Sequence, residues 1–328
     1  MSPMYRRLAA RLTLVAASIL LVTSCSSDTD DAADSSATRV VETTQGQVSV
    51  PVQPKRVVVL NYALAGYLYD LDIPVTSVTN EDSSRPSTAA AAWRDKAEAD
   101  NTEFMTWGPD GFSIEAILAQ EPDLIIGGGW GLPGVLATKV YDQLSEIAPT
   151  VIVDKKLPTW KEQFRFLAAD VFGQEDRYQG YLDDYDDRVA EVKENITVPP
   201  TPVTYLNIAA DGRPFVLLEN SALPQTLSAV GLTPAPVAAE HGLQPYQPGQ
   251  DAARLSPEVL GDIVSSPTVF VMGFNADTTS VEELASSPVY ARLPAFRESR
   301  AYDLPYWTHR ADYDETLAML DIVEKQFS

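Results

Sequence analysis

Apolar residues along this chain fall into two alternating registers. Short unbroken runs rich in β-branched residues, "PKRVVVLNY" (54–62), "IPVTSVT" (73–79), "DLIIGG" (123–128) and "TVIVD" (150–154), read as strands buried on both faces. Between them, "ALAGYLYDL" (63–71), "SIEAILAQ" (113–120) and "VYDQLSEIAP" (140–149) place apolar residues at helical spacing. Strand and helix in alternation predict a parallel sheet with helices on its faces. Within "SIEAILAQEPDLII" (113–126), Ser113 stands at the N-cap, Glu115 in the first turn and Pro122 past the end of a helix. A second copy follows at 256–271, "SPEVLGDIVSSPTVFV", with Ser256 and Glu258 at the same spacing and Pro257 where a helix start tolerates it.

The register changes between Thr159 and Ile196, a stretch with no proline and no β-branched run; Gly173 divides it into two helices. The second, from Gln174, would reach roughly 30 Å at 1.5 Å per residue, and "TVPPTP" (197–202) ends it. Beyond it, "VTYLNIA", "LPQTLSAVGL", "LSPEVLGDIV", "TVFVMG" and "SPVYARLPAFRESRAYDLPYW" resume the alternation, interrupted by a long Pro/Gly/Gln-rich loop at 232–254. The expected architecture is α/β. Two Rossmann-like lobes with mainly parallel sheets, 39–158 and 199–328, are joined by linker helices at 159–198, with a ligand cleft between the lobes.

The first two dozen residues add an address. Arg6, Arg7 and Arg11 precede an apolar run from Leu12 to Val22 and small residues before Cys25, the pattern of a secretory signal over 1–24. "VTSC" resembles a bacterial lipobox, which would make Cys25, the chain's only cysteine, a lipidation site. The polar, acidic stretch that follows, 25–38, reads as a flexible tether. The whole chain has 24 basic and 46 acidic residues; losing the three arginines leaves 21 against 46, a net charge of −25. Such a charge disfavours nucleic acid and anionic lipid as partners. No second apolar stretch is long enough to span a bilayer.

"PKRVVVLNY", then "IEAILAQEPDLII", then "YDQLSEIAPTVIV" and a helical segment opening at Trp160 together resemble class III periplasmic binding proteins. These serve ATP-binding-cassette importers of ferric siderophores, haem and cobalamin, and the resemblance runs through "SSPVYARLPAFRESRAYDLPYW". It implies an exported lipoprotein on the outer face of the cytoplasmic membrane. Such a protein would be a monomer with no intrinsic cofactor and would deliver an iron(III)-siderophore complex to a permease dimer. Glu115 and Glu258 match the glutamates that dock on permease arginines, one per lobe. Their other role is helix-dipole stabilisation worth about 0.3–1 kcal/mol each.

Residues directly after strands are the cleft candidates. In the first lobe these are Asn61, Tyr62, Trp107, Trp130 and Trp160; in the second, Arg213, Phe215, Tyr246, Phe274, Trp307, His309 and Arg310. Trp130, after three glycines, also matches a ligand-contacting aromatic of siderophore-binding relatives. With only His241 and His309 available, direct capture of a bare metal is disfavoured. The scattered arginines (Arg85, Arg94, Arg213, Arg310) in an acidic background favour a neutral or cationic hydroxamate chelate over an anionic tris-catecholate. A haem or cobalamin binder, with Tyr62, Tyr246 or His309 as axial ligand, is the alternative within the family. A secreted α/β hydrolase would need a G-x-S-x-G elbow, which the sequence lacks.

Overall fold

The computed structural model describes residues 37–246, 251–274 and 276–328. The signal sequence, Cys25 and most of the tether lie outside these residues. The chain opens on an antiparallel hairpin, β1 (Thr38–Thr43) and β2 (Gly46–Pro51), in register from Thr38 opposite Pro51 to Thr43 opposite Gly46. The first lobe follows: β3 (Val57–Val59), β4 (Val75–Thr79), β5 (Glu103–Met105), the two-residue pair β6 (Trp107–Gly108) and β7 (Gly111–Phe112), β8 (Leu124–Gly128) and β9 (Thr150–Val153). Five of these form a sheet in the order β5-β4-β3-β8-β9, parallel throughout. Both faces of β3, β8 and β9 are buried, which is why their sequences run apolar without alternation.

The second lobe has the sheet β12-β11-β10-β13-β14, built from β10 (Val203–Ile208), β11 (Pro214–Leu217), β12 (Ala252–Arg254), β13 (Thr268–Gly273) and β14 (Ala301–Asp303). Only β10, β13 and β14 are parallel; β11 and β12 run antiparallel to their neighbours. β12 lies inside the segment expected to be a long loop, which also holds a short helix, Val237–His241.

Between the lobes Thr159 caps the helix Trp160–Arg165 in a capping box with Glu162. A wider π-type turn, Phe166–Val171, carries the chain to the break at Gly173, after which the linker helix runs from Glu175 to Asn195. The C-terminal helix, Tyr313–Phe327, lies against this linker helix, where Arg188 pairs with Asp321 at 2.7 Å and with Glu324. An aromatic cluster binds these helices to the first lobe: Phe164 stacks on Tyr67 (5.1 Å between centroids), and Tyr181 meets Tyr313 edge-on at 4.7 Å. Trp160 belongs to this cluster. It is only 2% exposed and packs on Tyr185 and Tyr313, so it is removed from the cleft candidates. As the first residue of a helix whose inner face meets the linker, its side chain points into the core.

The duplicated unit opens on a serine-capped helix only once. Ser113 Oγ accepts from the Ala116 amide (3.1 Å) and caps the helix Ile114–Ala119, with Glu115 exposed in its first turn. At the second copy Ser256 does not cap a helix. Residues 257–259 form a turn closed by the Val259 amide on Ser256 O (3.2 Å), and the helix is only Leu260–Ile263. Gly261 and the β-branched Val259, Ile263 and Val264 are poor helix formers, so the turn is not extended. The local link between serine and glutamate survives in both copies. Ser113 Oγ donates to Glu115 Oε2 (3.3 Å), and the Ser256 hydroxyl donates to Glu258, holding its carboxyl below the usual range.

Candidate ligand cleft

The carboxyl ends of β3 and β8 build the first wall of the cleft. Asn61, just after β3, donates from Nδ2 to the Gly128 and Trp130 carbonyls (2.8 and 2.9 Å), and its Oδ1 accepts from the Ala63 amide. Asn61 is therefore a tie that pins the tryptophan corner. That corner needs glycine: Gly128 has φ +91°, and a Cβ there would lie 2.2 Å from the Val153 carbonyl oxygen. Trp130 emerges from it with Nε1 on Leu157 O (3.0 Å) and its ring half-buried against the core. Tyr62 packs on Trp93 and donates to Thr88 O (2.8 Å).

The second wall comes from β13 and the turn at 306–310. Phe274, directly after β13, meets Phe215 (5.0 Å), Tyr246 (6.1 Å) and the His309 ring (5.9 Å). Below it runs a polar chain. Asn207 Nδ2 lies 3.0 Å from His309 Nδ1, and His309 Nε2 is 3.1 Å from Asp251 Oδ2. Arg310 grips both Asp251 oxygens, with Nε at 3.1 Å and NH2 at 3.3 Å. Burial favours the neutral acid, but the Arg310 charge, and then His309, hold the Asp251 carboxyl far below the usual carboxylate range.

The two walls face each other across a small cavity of about 60 Å³, lined by Tyr62 and Trp130 on one side and Phe274, Trp307, His309 and Arg310 on the other. A cavity of about 420 Å³ adjoins it and shares Tyr62, Glu81, Tyr306, Trp307 and Glu315; Arg85 and Arg94 lie along its edge. Another, about 410 Å³, shares Phe274 and lies within the second lobe among Arg213, Phe215, Tyr246 and Arg254. Tyr306 bridges the lobes by donating to Glu81 Oε2 (2.7 Å). Burial raises the carboxyl pKa of Glu81, Asp314 and Glu315. Behind the cleft burial also lifts Asp312 to about 7 and Asp70 to about 8.

Seven of the eight expected ligand residues therefore gather here: Tyr62, Trp130, Phe274, Trp307 and Arg310 at the junction, Arg213 and Tyr246 in the second-lobe annex. Trp107 does not join them; its Nε1 is held by Asn80 O (2.6 Å) in the small β6–β7 hairpin, and it lines none of these cavities. His309, only 5% exposed and flanked by Asn207 and Asp251, also lines the junction cavity. The sequence reading missed Glu81 and Asp82, which follow β4 one residue on, after Asn80, and obey the same end-of-strand rule. It missed Glu315, marked by the Asp312/Glu315 capping box. It also missed Asp251 and Arg254, which flank or sit on a strand that no alternation announced.

Residues 57–306, well over half of the chain, match the model of a family described as periplasmic binding protein. The chain is 28% identical over 298 residues to the ferric enterobactin-binding periplasmic protein FepB of Escherichia coli O6:H1, covering 88% of this chain and 91% of that one. It is 24% identical to the probable siderophore-binding lipoprotein YfiY of Bacillus subtilis, covering 94% of each chain. The crystal structure of holo-ViuP superimposes with a TM-score of 0.74 at 21% identity, covering 88% of this chain and 95% of that one, which shows the same two-lobed α/β fold. These are binding proteins and not enzymes, and this chain belongs to the periplasmic binding protein family.

Proposed function

We propose that the chain captures a ferric siderophore between its lobes and delivers it to the permease of an ATP-binding-cassette importer. The observation that carries the reading is the convergence of Tyr62 and Trp130 from one lobe with Phe274, Trp307 and Arg310 from the other on a single cavity. Aromatic walls interspersed with charged groups suit a chelate, which gains from apolar contact and takes orientation from placed charges. The relatives named above as binding ferric enterobactin or siderophores support this choice. Cys25 is the proposed lipid attachment point, placing the monomeric protein outside the cytoplasmic membrane. Glu115 and Glu258, both exposed, are the proposed docking feet.

Titration of intrinsic tryptophan fluorescence with ferric hydroxamates, catecholates and citrate, and with haem and cobalamin, tests the ligand class. Saturable quenching by a ferric chelate is expected; saturation by haem or cobalamin alone would overturn the reading. Anchoring is tested separately, since Cys25→Ser should move the protein from the membrane fraction to the soluble one.

A further inference from the structure

Positive charge is unevenly placed around the cleft. At the 420 Å³ end, Glu81, Asp82, Asp314 and Glu315 stand with Arg85 and Arg94. At the 410 Å³ end, in the annex built on β10, β11 and β12, Arg213 and Arg254 are the charged residues of the lining, and the rest is Ala209, Phe215, Tyr246 and Phe274. Arg254 lies on β12 opposite Phe215 of β11, and its guanidinium has no ion-pair or hydrogen-bond partner among the described residues. Arg213, at the β10–β11 turn, is held by Asp211 (2.5 Å), but both partners are about half exposed, at 49% and 53%. A surface pair of that kind contributes only about 0–1 kcal/mol, so an incoming anion can replace Asp211 at small cost.

The three rings of the annex meet at angles, with Phe215 at 5.3 Å from Tyr246 and 5.0 Å from Phe274. They line one cavity together with Arg213 and Arg254. Planar aryl rings carrying adjacent anionic oxygens match both features. The rings pack on Phe215, Tyr246 and Phe274, and the oxygens take charge-assisted hydrogen bonds from arginine. A trihydroxamate iron(III) complex supplies neither, because it has no net charge and no aryl face. A tris-catecholate complex supplies both, with three negative charges.

We infer that Arg254, together with Arg213, is a specificity-determining pair that selects an anionic catecholate chelate over a neutral hydroxamate. The inference rests on the siderophore reading above and reverses the preference drawn from scattered arginines in an acidic background. The acids at the opposite end oppose it less than their number implies. Burial makes Glu81, Asp314 and Glu315 harder to ionise, which reduces the negative charge an anionic ligand meets.

The test measures dissociation constants of the full chain for two probes, the iron(III) complex of a tripodal tris-catecholate and that of a linear trihydroxamate, at low and high salt. The tris-catecholate should bind tighter and lose affinity with salt. Arg254→Ala should weaken it roughly 10- to 100-fold, the range for removing a hydrogen bond to a charged group, and flatten its salt dependence. Arg254→Lys, which keeps the charge, should recover part of the loss, and trihydroxamate affinity should not move. Tighter binding of the trihydroxamate, or equal weakening of both probes by Arg254→Ala, would overturn the inference and leave the siderophore reading standing. Failure of every ferric chelate to bind would overturn both.

Discussion

The two lobes share a scheme and differ in how they end it. In the first, the carboxyl ends of three strands of a wholly parallel sheet, β3, β4 and β8, lead into Tyr62, Glu81 and Trp130, and the corner at Gly128–Trp130 is fixed by backbone crowding and by Asn61. In the second, β11 and β12 turn back antiparallel, and that detour carries Phe215, Arg254 and, just before β12, Asp251 to the cleft. The first lobe thus supplies a rigid wall, and the second supplies charge and an annex. Lobes of one architecture acquire different chemistry through the strands that break the pattern.

Substituting glycines of positive φ in each lobe should give the largest stability contrast. Gly128→Ala forces an L-residue to φ +91° and a Cβ into the Val153 carbonyl, so a loss of about 2–5 kcal/mol is expected in denaturant unfolding. Gly212→Ala in the β10–β11 turn meets the same backbone problem at φ +79° but open space, and should cost only about 1–2 kcal/mol. Equal losses would show that crowding is not what fixes the first-lobe corner.

The carboxylates of the two sides should respond to pH with opposite sign. Asp251 has its pKa depressed by Arg310 and His309, so its stabilisation is present above the unfolded carboxyl pKa and disappears as pH falls through the folded value. Asp251→Ala would leave Arg310 partly buried without its acid and should cost about 2 kcal/mol near neutrality, discounted from the 3–5 kcal/mol of a fully buried pair. Asp70, raised by burial and by Asp314 and Asp312 to about 8, works the other way. The native state holds its proton where the unfolded chain has lost it, so stability falls as pH rises from the unfolded value, about 4, toward about 8. Asp70→Asn should therefore stabilise at pH 8 and make little difference near pH 4, read from melting temperatures across that window. A variant that melts identically at both pH values would remove the burial argument.

Legibility in the sequence followed the same division. Four of the five strands in the first-lobe sheet were readable because continuous valine and isoleucine runs have no other stable home, and "GGGW" marked its corner by the backbone freedom it requires; the edge strand β5, "EFM", and the β1–β2 hairpin carry no such run and were not. β11 and β12 were hidden. "PFVL" opens on a proline, and "AAR" is three residues with no periodicity, held in place by its partner strand and not by its own pattern. Trp160 misled because an aromatic at a helix start looks the same whether it faces a cleft or a core. Only the position of the linker helix decides that, and this is a tertiary fact.

Removing an aromatic from each wall measures how evenly the lobes share the ligand. Trp130→Ala and Phe274→Ala should each weaken chelate binding by roughly tenfold or more, in line with loss of about 1–3 kcal/mol of apolar contact. Trp107→Ala should leave the affinity unchanged. A large effect at Trp107 would move the ligand toward the β6–β7 hairpin.

The smallest difference concerns the two feet. Glu115 sits in the first turn of a capped helix, so Glu115→Arg exchanges a favourable dipole interaction for an unfavourable one and should cost about 0.3–1 kcal/mol of stability. Glu258 sits on a turn ahead of a four-residue helix, where no such interaction exists and only the exposed Ser256 hydrogen bond is lost, so Glu258→Arg should lower the melting temperature less. If both glutamates dock on permease arginines, either change should slow uptake of the chelate into cells while purified protein binds it with unaltered affinity, because rim charges act mainly on encounter and orientation. Uptake lost with Glu115→Arg but retained with Glu258→Arg would mean that the repeated serine–glutamate pair docks only where it begins a helix, and that the second foot is a resemblance of sequence without a shared role.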